Sequence, residues 1–229
     1  MSEDAQLELG PRVKFKKVRL GSIQDAARRS SSKDQINSVS ETLADALWEM
    51  ESLGLTPVVS DGKVGGNGAV LLKLERKMFL VVSKSGKLPG RMDPRKDICL
   101  ISSFSEADWS VEYFSELEDT EPTSDTPLHW LALVGTKSFD WTHKPVWSLH
   151  GHAFESEEQA KLLYLPISKK LTLFSTLEDS NALKDLFLEY CYPDNTVFVR
   201  KGHGFICLGQ TCTEALNEIR KLVEKNKEK

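Results

Sequence analysis

Pro145-Val-Trp-Ser-Leu-His-Gly-His-Ala-Phe154 is the stretch from which the rest of the chain can be read. Val146 to Leu149 is a short apolar run of the kind that forms a buried strand, and it delivers His150 and His152 at its end. Residues two apart on an extended chain project to one face, so both imidazoles can reach a single ion, with Gly151 leaving room between them. A third histidine, His203, stands in Arg200-Lys-Gly-His-Gly-Phe205, at a glycine-flanked turn between two apolar runs. Three histidines and one open position describe a catalytic zinc site, whereas a structural site has four protein ligands. The spacing alone also admits a bland reading, because a His-x-His pair at a strand end is often an ordinary pair of side chains.

The chain has 229 residues, 40% of them hydrophobic, enough for one large domain with a sizeable core. Its formal net charge is −4, which argues against a nucleic-acid surface, since such surfaces carry a basic excess. No apolar run approaches a membrane span, and the acidic start Met1-Ser-Glu-Asp-Ala-Gln6 is unlike a secretory leader. The four cysteines, Cys99, Cys191, Cys207 and Cys212, form no C-x-x-C pair and suggest neither a thiolate zinc site nor a disulfide framework. The expectation is a soluble, cytoplasmic protein with no nucleic-acid or membrane partner.

Ser38-Val-Ser-Glu41 fits a capping box, followed by apolar residues at helical spacing until Gly54. Ser60 to Gly68 is a glycine-rich loop leading into strands at 69–74 and 79–83, and the second strand empties into Ser83-Lys-Ser-Gly-Lys87. Such loops can turn N–H groups and hydroxyls toward a phosphate, or be plain turns; neither has the spacing of a P-loop. Further strands are expected at 98–101 and 108–113. A helix capped by Ser124 or Asp125, with Pro127 in its first turn, runs through Val134, and capping alone would account for Asp125. Beyond the two histidines the pattern predicts a helix at 155–164, a strand at 170–174 and a helix opening at Ser180. Strands at 196–200 and 205–208 follow, then a final helix opened by Thr211-Cys-Thr-Glu214. Val13 to Leu20 is an edge strand or an extended arm. Residues 1–35 are read as a partly flexible N-terminal arm and 36–229 as one α/β domain.

Taken together, Gly65-Gly-Asn-Gly68, Ser85-Gly86, Pro122-Thr-Ser-Asp125 with His129, His150-Gly-His152, Gly202-His-Gly204, Gly209-Gln-Thr211 and Glu214-Ala215 stand in a telling order. From about Glu41 to Leu222 the chain resembles the class II aldolase and adducin family. The resemblance implies a single α/β domain, its central, largely antiparallel sheet flanked by helices, and a homotetramer with active sites between subunits. It implies zinc on His150, His152 and His203. Asp125 falls where these aldolases have the glutamate that moves the proton. Gly66, Asn67, Ser85, Gly86, Thr123 and Ser124 fall where the family binds the substrate phosphate. The implied activity is zinc-dependent cleavage of a ketose 1-phosphate, such as L-fuculose 1-phosphate, to dihydroxyacetone phosphate and an aldehyde. Two alternatives share the scaffold: a lyase like methylthioribulose-1-phosphate dehydratase, and a non-catalytic adducin-like binding module. The chain departs from the pattern in the shorter Asp125, in Val64 where a threonine is common, and in having no assigned counterpart of the tyrosine that a neighbouring subunit contributes.

Overall fold

The strand runs carry apolar residues at both odd and even positions, so the sheet they build must be covered on both faces. The computed structural model, which describes residues 13–27, 30–59 and 61–228, has that arrangement. Its strands are β1 (Lys16–Gly21), β2 (Gly66–Leu74), β3 (Lys77–Ser83), β4 (Ile98–Ser105), β5 (Ser110–Ser115), β6 (Trp147–Gly151), β7 (Val197–Arg200) and β8 (Gly204–Gly209). They form one sheet in the order β1-β5-β4-β3-β2-β6-β8-β7, antiparallel throughout except where β1 lies parallel to β5. The helices are α1 (Ile23–Ala26), α2 (Ser30–Ser52), α3 (Thr126–Leu133), α4 (Glu157–Leu163), α5 (Leu177–Glu189) and α6 (Cys212–Lys227).

On one face Val70, Val81, Leu100 and Leu149 share a core with Leu43, Leu47 and Met50 of α2 and Ile219 of α6. On the other, Leu80, Val82, Ile101 and Ile206 share a core with Leu128 and Leu131 of α3 and Leu183 and Phe187 of α5. Sequence neighbours such as Leu80 and Val81 thus serve opposite cores, and each large side chain so buried contributes about 1.5–3 kcal/mol. Among the described residues no helix is long and apolar enough to cross a membrane. All four cysteines are free, and Cys99, Cys207 and Cys212 are buried.

Local signals set most element ends. Gly54, at φ +74°, closes α2: its N–H reaches Glu51 O at 3.0 Å and the Leu55 N–H reaches Met50 O at 3.0 Å, a Schellman turn. At α6 the Thr211 hydroxyl accepts from Glu214 N at 3.1 Å, and the Glu214 carboxylate accepts from Thr211 N at 3.3 Å.

Three expectations need correction. Helix α2 begins at Ser30, not Ser38; Ser38 and Glu41 are exposed mid-helix residues, and the Ser38 carbonyl accepts the Thr42 hydroxyl. Helix α5 begins a turn before Ser180, because the Thr176 hydroxyl caps Asp179 N at 3.3 Å. Residues 170–174 form no strand. The outer edge of β7 is already taken, with Val199 N bonded to Pro166 O at 2.8 Å and Ser168 N to Val199 O at 2.9 Å. The segment instead sets Leu171 beside Gly202 and Phe174 beside His203, and is tied at Ser175, whose carbonyl accepts from Trp109 Nε1 at 3.1 Å.

Candidate metal centre

Strand β6 is buried along its whole length, between β2 and β8. His150 is paired with Asn67 on one side and Ile206 on the other, so its ring projects to the face covered by α3 and α5. Its Nδ1–H donates to Phe205 O at 2.7 Å, which leaves Nε2 as the bare nitrogen. That Nε2 is buried and has no hydrogen-bond partner. His203 comes from the β7–β8 turn, pressed against the end of β6. A Cβ on Gly204 would lie 2.1 Å from Gly151 O, and φ +122° there excludes other residues, so glycine is what lets the two backbones meet. The three rings then converge: His150 and His152 centroids are 5.0 Å apart, His150 and His203 5.1 Å, and His152 and His203 4.9 Å. Phe174 meets His203 edge-on at 5.4 Å and forms part of the wall. His152 is half-buried and opens onto a cavity of about 330 Å³ lined also by Leu55, Phe154, Glu155 and Gln159.

Asp125 sits directly below. It stands at the cap position just before α3, yet its side chain makes no capping bond, so capping does not explain it. The residue is 2% exposed. Oδ2 accepts from Asn67 Nδ2 at 2.7 Å and lies 3.5 Å from His150 Nε2; Oδ1 lies 3.8 Å from His203 Nε2. Because Asn67 must donate to the carboxylate, its Oδ1 accepts, and His129 Nε2–H supplies that bond at 2.6 Å. His129 Nδ1 then accepts the Ser148 hydroxyl at 2.8 Å. A second support comes from Arg200, whose Nη1 donates to Asp125 Oδ1 at 3.1 Å while Nε and Nη2 grip Asp179 at 3.0 and 2.6 Å. Burial would raise the Asp125 carboxyl, but the neighbouring imidazoles of His150 and His203, the Arg200 guanidinium and the Asn67 amide hold it well below the usual carboxylate range.

The donor set fits a divalent metal. A buried nitrogen without a partner needs an acceptor of its lone pair, and a divalent metal is one. His150, His152 and His203 also group as ligand atoms within 4.8 Å of one another. All three residues expected to bind metal are therefore brought together.

The expected phosphate residues divide. Three loops lie side by side: Ser85 N bonds Glu121 O at 2.8 Å, Thr123 N bonds Ser83 O at 3.0 Å, and Val64 N bonds Lys87 O at 2.8 Å. This aligns Gly66, Ser85, Gly86, Thr123 and Ser124, with Ser85, Gly86 and Ser124 half-buried. Asn67 is placed differently, with both ends of its amide engaged by Asp125 and His129. Arg200 and Asp179 were not anticipated. The one available signal was an arginine closing the otherwise apolar run Val197-Phe-Val-Arg200 three residues before a candidate ligand.

His129 offers a test of this network. Burial lowers its imidazole from 6.5 to about 4. The unfolded chain gains a proton there as pH falls below 6.5, and the folded chain does not until about 4. Stability from His129 is therefore full above 6.5 and is lost on the way down to 4, on the order of 3 kcal/mol. Urea unfolding between neutral and mildly acidic pH is expected to show stability falling with acid, and falling less steeply in His129→Gln. Equal slopes would remove His129 from that role.

Comparison with known structures decides the fold. A sugar-phosphate aldolase from Thermotoga maritima superposes with a TM-score of 0.62 at 14% identity, covering 86% of this chain and 93% of its own. The chain has the class II aldolase fold. An L-fuculose 1-phosphate aldolase from Glaciozyma antarctica PI12 matches with a TM-score of 0.54 at 14% identity, over 82% of this chain and 70% of its own. A protein from Escherichia coli described by three alternative activities, aldolase, epimerase or decarboxylase, matches at 0.55 and 18% identity, over 84% of this chain and 88% of its own. By sequence, neither a family model nor a curated protein matches the chain. The class II aldolase fold accounts for the mostly antiparallel sheet and for helices on both of its faces.

Proposed function

We propose that this chain is a zinc-dependent aldolase that cleaves a ketose 1-phosphate of the L-fuculose 1-phosphate type to dihydroxyacetone phosphate and an aldehyde, acting as a cytoplasmic homotetramer. The observation that carries the reading is the bare, buried Nε2 of His150, set among two further imidazoles and an ionised carboxylate. The solved relatives described as sugar-phosphate and fuculose-phosphate aldolases support the substrate class.

His150, His152 and His203 would hold the metal, with the Phe205 carbonyl fixing the orientation of the His150 ring. Bound there, zinc supplies Lewis-acid stabilisation for the negative charge that a retro-aldol cleavage develops on oxygen. Gly66, Ser85, Gly86, Thr123 and Ser124 would line the place of the substrate phosphate, with the half-buried Ser85 and Ser124 offering hydroxyls, and the energy of that contact aligns the reacting bond. Asn67 serves the carboxylate instead, donating to Asp125 Oδ2. Asp125 moves the proton. Held ionised by its neighbours, it is unprotonated at neutral pH; the low basicity that goes with this favours giving the proton back over taking it.

Cleavage of L-fuculose 1-phosphate and related ketose 1-phosphates by zinc-loaded protein, followed by detection of dihydroxyacetone phosphate, tests the reading. Loss of water from the substrate without carbon–carbon cleavage would replace the aldolase by a dehydratase. No turnover of any sugar phosphate by protein holding about one zinc per subunit would defeat both. Asp125→Asn is expected to lower turnover by roughly 10²–10⁴-fold while zinc content stays within about twofold of wild type. Unchanged turnover would remove Asp125 from proton transfer.

A further inference from the structure

The three loops read as the place of the substrate phosphate spend much of their donor capacity on one another. The Val64 and Gly65 N–H groups go to Lys87 O and Pro57 O at 2.8 and 2.9 Å, and those of Ser85 and Thr123 go to Glu121 O and Ser83 O. Beyond them Asp125 N is bonded to Thr123 Oγ1 at 3.4 Å and Thr126 N to Thr123 O at 3.1 Å. The hydroxyls of the half-buried Ser85 and Ser124 are left as donors. A phosphate monoester carries roughly two negative charges at neutral pH, which neutral hydroxyls do not balance. The place calls for a cation.

Three lysines border these loops. Lys84 is bound to Asp97 Oδ1 at 2.6 Å, and the buried Lys87 to Glu51 Oε2 at 2.7 Å and Leu88 O at 3.0 Å. Both charges are already matched by carboxylates. Lys63 is the third, and among the described residues it has no carboxylate within ion-pair distance. It lies in a short hairpin where Val58 bridges Val64 and Val59 N bonds Lys63 O at 2.8 Å. Its half-buried stem packs on Gly86: a Cβ built on that glycine would meet Lys63 Cε at 3.8 Å and Cδ at 3.9 Å, and no other atom of a distant residue within 4 Å. The ammonium is one bond beyond Cε, so it stands beside the Ser85-Gly86 turn. A stem laid along the protein with its charge kept at the edge leaves that charge available.

We propose that Lys63 is the charged group that binds the substrate phosphate, with the Ser85 and Ser124 hydroxyls completing the contact. This rests on the reading of these loops as the phosphate site; the family resemblance gives position 63 no role. Lysine suits it, because a point charge on a flexible stem meets a phosphate oxygen without the fixed fork geometry of arginine.

The test uses the zinc-loaded full chain and dihydroxyacetone phosphate as the probe, with affinity read by titration calorimetry. Lys63→Gln keeps the stem on Gly86 and removes the charge, and is expected to weaken binding ~10-fold or more with zinc content and melting temperature unchanged. Lys63→Arg restores the charge and should bind within about threefold of wild type. Lys77→Gln removes an equal charge at the other end of β3, ~20 Å away by strand rise, and should bind as wild type does. The Ser85→Ala, Ser124→Ala double variant tests the phosphate reading itself and should also bind more weakly. Unchanged affinity in Lys63→Gln beside a weakened serine variant overturns the lysine contact alone. An equal loss in Lys77→Gln, or a Lys63→Arg as weak as Lys63→Gln, does so too. Unchanged affinity in both Lys63→Gln and the serine variant overturns these loops as the phosphate site, and Lys63 with them, as does a zinc-loaded wild type that fails to bind the probe.

Discussion

His152→Ala is expected to lower zinc affinity by ~100-fold or more and to abolish sugar-phosphate cleavage, while costing no more than about 1 kcal/mol in stability. Of the three clustered histidines it is the one to truncate. His150 and His203 are buried, and His150 donates to a strand carbonyl, so their removal would leave Phe205 O or Arg200 short of a partner. His152 is half-buried at the edge of a cavity, where water can take the vacated space. A site left with two imidazoles loses the third ligand of an open zinc shell and should release metal on gel filtration. Metal content per subunit, chelator competition and thermal melting check the three parts separately. A variant that keeps about one zinc per subunit and full activity would sink the assignment. A variant that fails to fold would show instead that His152 belongs to the core.

The histidines were legible because their signal is local. His-x-His at the end of an apolar run needs only the period of a strand to place both rings on one face, and the glycines beside His203 announce the turn that carries it. The sheet was legible for the same reason, since alternation and continuous apolar runs mark buried strands wherever they lie. What stayed hidden depends on partners far apart in the chain. Asn67 reads as a loop polar residue, and only the pairing of β2 with β6 turns it toward Asp125 and His129. The pattern at 170–174 is strand-like, but no free edge of β7 remained to pair with it. Ser38 and Glu41 have capping spacing, but a helix already begun at Ser30 runs through them. Asp125 was open to an ordinary explanation as a cap until its side chain was found to make no capping bond. Arg200 and Asp179 are 21 residues apart and meet only because β7 and α5 share a face. Neither residue has a local motif.

That distant pair gives the second large effect. Arg200→Met alone is expected to destabilise the protein by about 3–5 kcal/mol, a fall of roughly 10 °C in melting temperature for a domain of this size. The side chains of Arg200, Asp179 and Asp125 are all at most 3% exposed, so the substitution strands two carboxylates without a counter-charge and without access to water. The deficit should depend on pH in a direction that a packing defect would not share. Burial already raises the Asp179 carboxyl, with Arg200 acting to lower it. Without the guanidinium the carboxyl rises further, and a group whose folded value is raised gains stability as pH falls through that value. The gap between wild type and Arg200→Met is therefore expected to narrow as the solution is acidified toward pH 5, even while both proteins lose stability from their buried histidines. Adding Asp179→Leu to Arg200→Met should recover much of the loss at neutral pH, since it removes the carboxylate that Arg200 grips with two nitrogens. A gap that stays constant with pH, or a double variant as unstable as the single, would mean that Arg200 stabilises the fold through its bulk and not through its charge.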